Sequence, residues 1–209
     1  SQHGASVVVC YAGDAQAASE VLGLINTQTQ EEEKAKAKAI AVKGDVSKEA
    51  DVKAIFDAAI QAFGHVNIVV HMAGIILSSY PTLEQTSAED WERTMSVNAT
   101  GTFLVLKEAA QRIVAGGKGR IVTTSSSMVH VLKPGYGAYV ASKAAVETLT
   151  KIMAKELRGR QLRGSGPSDH RHVCFRERRG TRGELPGCAS IATPGRPSGH
   201  CTTYLIPGQ

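Results

Sequence analysis

No stretch of about eighteen consecutive apolar residues occurs in this 209-residue chain, so the sequence predicts no membrane-spanning helix. A secretory or transit segment is also missing, and the chain opens at Ser1-Gln2-His3-Gly4-Ala5 as though already inside a fold. Cysteine occurs only four times, without regular spacing, which provides no disulfide framework and predicts a reduced, cytosolic setting. Lysine disappears after Gln161, where Arg, Gly, Pro and Ser accumulate instead, as in Cys174-Phe175-Arg176-Glu177-Arg178-Arg179-Gly180. The formal charge of +5 comes mostly from this tail and says little about the partner of the rest. What is present, an ordinary apolar fraction of 42%, suits one domain with a real core.

Up to about Arg160 the pattern alternates strand and helix. Ala5 to Cys10 reads as a β-branched strand, and Asp14 to Asn26 as a helix with Ala18, Val21, Leu22 and Ile25 on one face. Thr27 to Lys38 is a Gln/Glu/Lys-rich bridge that reads as a solvated helix end or loop. Ala39 to Gly44 is a second strand, and Ser47 is expected to cap a helix reaching Phe63 that Gly64 closes. Val66 to His71 is a third strand. Ser87 caps a long helix running to about Val114, and Arg120 to Thr124 is a fourth strand.

Tyr139 and Lys143 stand four residues apart, which on a helix puts a phenol and an ammonium on one face. Phenols titrate near pH ~10, so a phenol that works at neutral pH needs a neighbour that stabilises its anion, and a cation is such a neighbour. On spacing alone, a solvated surface pair is the commoner outcome. The context changes this. Gly119-Arg120-Ile121-Val122-Thr123-Thr124-Ser125-Ser126-Ser127 is an apolar run ending in hydroxyls, and the Ala-rich segment Ala141 to Leu157 has helical period. A strand ending in serine, a loop and a helix carrying Tyr and Lys bring all three side chains to the carboxyl edge of a sheet, where ligands bind in open α/β folds.

In these features the chain resembles the short-chain dehydrogenase/reductase family, over about Gly4 to Arg160. Four motifs match in order. Asp45-Val46 follows the second strand, where the family contacts adenine; His71-Met72-Ala73-Gly74 is similar to the family's Asn-Asn-Ala-Gly turn near the cofactor. Val97-Asn98-Ala99-Thr100-Gly101 matches the segment whose Asn completes a catalytic tetrad, and a serine of the Ser125 to Ser127 run, with Tyr139 and Lys143, supplies the remainder. The resemblance implies a Rossmann-like α/β fold, a doubly wound parallel sheet. It also implies hydride transfer between a nicotinamide and a carbonyl or alcohol. Tyr139 would donate the proton, Lys143 hold the nicotinamide ribose, and Asn98 hold a water of the proton relay. Spacing favours Ser126 over Ser127 as the orienting hydroxyl.

Departures from the family are equally legible. The glycine-rich phosphate loop, with the first strand before it, does not occur in this sequence, nor do the family's last strands after Arg160, so the resemblance implies an incomplete sheet with two unpaired edges. Residues 161–209 are expected to be a disordered, non-family tail, and the break at Gln161 predicts a change of reading frame or exon. Within it, Arg171, Arg176, Arg178, Arg179 and Arg182 form no persuasive nucleic-acid patch, since Phe175 is the one aromatic in the run. His170, His172, Cys174, Cys188, His200 and Cys201 match no zinc spacing. Met72 is expected in the core and His71 as a hydrogen-bonded spacer, while Val129 occupies a position often Gly in the family, so its loop needs another conformation.

The strand ending Val9-Cys10-Tyr11-Ala12 lacks the acid that NAD-specific members use on the ribose, which favours NADPH over NAD. Expected partners are a small carbonyl or alcohol substrate and a second copy of the chain, dimer or tetramer, through the long helices near Ala109 and Ala145; neither nucleic acid nor membrane is expected. Two functional classes follow: an NADP-dependent oxidoreductase, or an inactive fragment that binds no cofactor, either an artefact of how the sequence was derived or a partner that docks on intact relatives.

Overall fold

The computed structural model describes residues 5–30, 39–114, 119–163 and 172–178, which fall into two compact units, one ending at His65 and the other beginning at Val66. The first unit is a β-α-β-α segment. Strand β1 (Val7–Tyr11) leads into helix α1 (Ala15–Gln30), whose start is held by Asp14, its Oδ1 accepting from the Ala17 N–H at 2.9 Å. Strand β2 (Ala39–Lys43) runs parallel to β1 in register from Val7 with Ala39 to Tyr11 with Lys43. The charged bridge is helical as far as Gln30, and residues 31–38 lie outside the described residues.

Helix α2 (Glu49–Phe63) carries Glu49 and Asp51 in its first turn, where the helix dipole favours them, and buries Val52, Phe56 and Ala59. Ser47 does not cap it. Lys48 occupies that position without a side-chain bond, because the Ser47 hydroxyl is already committed to Asp45 Oδ1 at 2.7 Å. Gly64 ends α2 as expected, with φ +80 and its N–H returning to Ile60 O.

In the second unit, strand β3 (Ile68–His71) is followed by helix α3 (Ala88–Met95), with Ser87 as its cap, its Oγ accepting from the Asp90 N–H. The helix expected to run unbroken to Val114 is interrupted. Ser96–Thr100 widens into a π turn, where the Gly101 N–H reaches back to Ser96 O, before helix α4 (Gly101–Arg112) resumes. The Thr102 hydroxyl bonds the Asn98 carbonyl at 2.6 Å, drawing that acceptor outward at the irregularity. Strand β4 (Arg120–Ser126), the short turn α5 (Met128–Val131) and the long helix α6 (Gly137–Arg163) follow. The loop containing Val129 finds its alternative conformation as α5, with the next residue, Leu132, taking left-handed backbone at φ +54.

Strand β5 (His172–Arg178) pairs parallel to β4 from Arg120 with His172 to Ser126 with Arg178, giving the order β3-β4-β5. This corrects the expectation of no regular structure after Gln161. Helix α6 continues to Arg163, and Val173 and Phe175 supply strand-forming residues for the open edge of β4, a signal the surrounding arginines obscured. Residues 179–209 lie outside the described residues.

Strand β3 closes the other side of this sheet, parallel to β4 from Ile68 with Arg120 to His71 with Thr123. Successive side chains of a strand face opposite sides. Along β3 one side carries Val69 and buried His71, while the other leaves Ile68, Val70 and Met72 exposed. Met72, 54% exposed, is therefore not the core residue the sequence suggested: it projects from the bare face. The core itself lies between α4, α6 and β4, where Leu106, Ala109, Ile121, Val146 and Leu157 are almost fully buried. Each larger side chain among them contributes roughly 1.5–3 kcal/mol of apolar burial.

Candidate active site

The sheet-facing stripe of α6 places Lys143, Glu147 and Thr150 over β4. Thr150 and Thr123 share a hydroxyl bond at 2.9 Å, and the Ser125 hydroxyl donates to Glu147 Oε1 at 2.9 Å. Glu147 also meets Lys151 Nζ at 3.4 Å. Lys143, 5% exposed, donates from Nζ to the Thr124 carbonyl at 2.8 Å. A lysine so enclosed needs a partner of this kind for its charge. The same ammonium lies 5.8 Å from the ring centroid of Tyr139, one turn earlier, so the two side chains do share a helix face.

The serine run is divided by strand alternation. Ser125 turns beneath α6 to Glu147; Ser126 closes β4, is buried, and accepts at Oγ from the Met128 N–H at 3.3 Å. Ser127 is half-buried and begins α5, its carbonyl accepting from the N–H groups of His130 and Val131.

Asn98, fully buried in the π turn, is committed on every side. Its Nδ2 donates to Ile75 O and to Ser142 Oγ, both at 2.9 Å, and its Oδ1 accepts from the Ile75 N–H at 2.7 Å. Both amide hydrogens are thus spent, and the side chain ties the turn after β3 to α6. Ser142 completes the link by donating to the Tyr139 carbonyl at 2.7 Å. Sequence reasoning missed Ser142, although its place between Tyr139 and Lys143, three residues from the former, was the available signal.

Gly74 shows how tightly these groups converge. A Cβ there would stand 3.2 Å from Asn98 Oδ1 and 3.3 Å from Lys143 Nζ, so the turn Ala73-Gly74 passes directly over the lysine ammonium and the amide. His71, before it, is 7% exposed; burial first, and the Lys143 charge second, hold its imidazole down to about 4. Of the hydrogen bonds expected of a spacer, its Nε2 makes none among the described residues. Ala73 and Gly74 are exposed beside it.

Asp45 and Val46 belong to the first unit. The Asp45 carboxyl is held below its ordinary range by the Ser47 hydroxyl and N–H, with Lys48 adding to the effect, and its own N–H donates to Asp51 Oδ2 at 2.9 Å. Asp45 borders a polar cavity of about 340 Å³ with Ala12, Lys43, Gly44, Lys48 and Asp51, and Val46 lies outside that lining. In the second unit, Tyr136 packs between Tyr80, 4.9 Å away between centroids, and Tyr139, 6.4 Å away. Beside Tyr136, Leu83, Leu132, Lys133 and Val140 line a cavity of about 290 Å³.

The donors present fit a pyridine nucleotide. In the second unit the buried Lys143 ammonium lies close beneath the Gly74 turn, a donor that suits ribose hydroxyls. In the first unit, β1 ends without a carboxylate that would repel a ribose phosphate.

A family model described as Enoyl-(Acyl carrier protein) reductase matches residues 1–164. A "Short-chain type dehydrogenase/reductase" of Picea abies is 48% identical over 162 residues, 78% of this chain and 59% of that protein. An "NADPH-dependent aldehyde reductase-like protein, chloroplastic" of Arabidopsis thaliana is 50% identical over 159 residues, 75% of this chain and 59% of the relative. Among solved structures, a short chain dehydrogenase from Burkholderia cenocepacia J2315 in complex with NADP is 29% identical, with a TM-score of 0.66 over 74% of this chain and 59% of that one. The chain thus spans about three fifths of the length of the curated relatives it matches.

Proposed function

Because this chain belongs to the short-chain dehydrogenase/reductase family, we propose that Tyr139 and Lys143 form the site of an NADP-dependent oxidoreductase that reduces the carbonyl of a small aldehyde or ketone. The observation that carries this reading is the meeting of Lys143, Asn98 and the Gly74 turn, with the ring of Tyr139 beside the lysine. When bound, NADPH supplies the hydride. Tyr139 donates its hydroxyl proton to the carbonyl oxygen as that oxygen gains charge, and takes it back when an alcohol is oxidised. Ser126 orients the carbonyl oxygen from the end of β4, in preference to Ser127, on the spacing to Tyr139.

Lys143, anchored on Thr124 O, holds the nicotinamide ribose at the turn of Ala73 and Gly74. Asn98 ties that turn to α6 with both of its N–H groups and also holds a water of the proton relay through an oxygen. Asp45 and Val46 take the adenine end. Preference for NADP over NAD rests on the absence of an acid at the end of β1, and is supported by a relative named for NADPH and a solved neighbour holding NADP. No helix of the described residues is long and apolar enough to cross a membrane. The compartment is proposed as the cytosol, with the plastid as the rival suggested by the relative's name; a fluorescent fusion of the full chain decides between them. The assembly is proposed as a homo-oligomer, read by light scattering.

The test is consumption of NADPH by the full chain with a panel of small aldehydes and ketones, beside Tyr139→Phe. Turnover that the phenylalanine variant lacks supports the reading. Equal rates in both proteins would exclude Tyr139 as the proton donor.

A further inference from the structure

We propose that His71 is a positioning residue for Lys143: it presents the bare Nε2 of a neutral imidazole to the lysine ammonium and so fixes where that charge sits beneath the Gly74 turn. His71 ends β3 opposite Thr123 of β4, and directly paired residues of parallel strands face the same side. Thr123 faces α6, where its hydroxyl meets Thr150. His71 therefore stands on the side of the sheet from which Lys143 reaches down to Thr124 O.

The imidazole is 7% exposed and its Nε2 lacks a hydrogen-bond partner among the described residues, an arrangement that is costly for a polar atom unless a partner group serves it. The charged side chains on the helices packed nearby are Lys143, Glu147 and Lys151 on α6 and Lys107, Glu108 and Arg112 on α4; Glu147 is engaged by Ser125 and Lys151, and Glu108 by Arg112 at 2.7 Å. Lys143 is the one whose charge acts on His71. A neutral imidazole has one N–H and one bare nitrogen, and beside a cation the bare nitrogen is the favourable face, which leaves the proton on Nδ1. With Thr124 O as one acceptor and His71 Nε2 as a second through one bridging water, the amine is aimed from two sides. His71 stands at the first position of the His71-Met72-Ala73-Gly74 turn, directly before the residues that cover the lysine.

The inference rests on Lys143 belonging to the cofactor site, but its test reads the lysine itself and needs no cofactor. In the isotope-labelled full chain, nuclear magnetic resonance at neutral pH reports which ring nitrogen of His71 carries the proton, and the Lys143 side-chain signals are followed as pH is lowered. The expected result is a proton on Nδ1 and a transition in the Lys143 signals with a midpoint near 4, absent in His71→Asn. A proton on Nε2, no transition, or a transition that persists in His71→Asn would overturn the proposal. If the chain unfolds before the midpoint, Lys143→Met at neutral pH decides: a shift of the His71 proton toward Nε2 supports the coupling, and an unchanged tautomer refutes it. Should these results hold while NADPH fails to bind, the proposed function falls and the His71–Lys143 coupling stands.

Discussion

At the scale of single residues, two side chains carry predictions. Tyr139→Phe keeps the ring that packs beside Tyr136 but removes the transferable proton, so carbonyl reduction should fall by about 10²- to 10⁴-fold while the affinity for NADPH is unchanged. His71 predicts a dependence of stability on acidity. Its folded value near 4 lies below the ordinary 6.5, so between these values the unfolded chain binds more protons than the native one. Stability from this group is complete above pH ~6.5 and is lost as pH falls through about 4, on the order of 3 kcal/mol in all. Denaturant melts across this range should show that acid limb in the natural chain and its reduction in His71→Asn. The identity of Tyr139 and Lys143 was legible because a helix fixes what lies one turn away. The condition of His71 was not, since burial depends on what the rest of the sheet brings over it.

At the scale of elements, the π turn of Ser96–Thr100 is the joint that matters. It offers Asn98 to the Ile75 backbone and Ser142, and so couples the turn after β3 to α6. Asn98→Ala leaves an amide, a carbonyl and a hydroxyl with fewer partners, and should cost about 1–3 kcal/mol per buried group that stays unsatisfied. Thermal melts check this, and Gly74→Ala should add a loss of cofactor affinity, because its Cβ would press on Lys143 Nζ. Periodicity found nearly every helix and strand to within a few residues, yet it read Ala88 to Val114 as one helix. One added residue per turn leaves the apolar repeat almost intact, and only the long-range bonds of Asn98 reveal it. Strand β5 escaped for a different reason: seven residues are too few for a period to stand out amid arginine, and it is the edge of β4 that selects them.

At the scale of the whole molecule, the expected division of the sheet is present as two separate sheets, β1-β2 and β3-β4-β5. Strand β3 is an edge in its sheet, with Ile68, Val70 and Met72 exposed on one face, and such an edge invites pairing with another chain. Val70→Lys should therefore reduce aggregation, measured by light scattering at rising concentration, while leaving the melting temperature little changed. The family and its parallel α/β plan were readable from four motifs in order. What binds beside Tyr136 was not, because the cavity there is assembled by Leu83 and Leu132 from segments far apart in the chain, and Leu132, like Tyr80 stacked on Tyr136, takes left-handed backbone that no sequence period announces.

The claim that Lys143 sits where a pyridine nucleotide binds is tested most directly by calorimetric titration of NADPH into the 209-residue chain and its Lys143→Met variant. Saturable binding at micromolar cofactor, weakened by about tenfold or more in the variant, is the predicted result. No heat at millimolar NADPH, or equal affinity in both proteins, would contradict it.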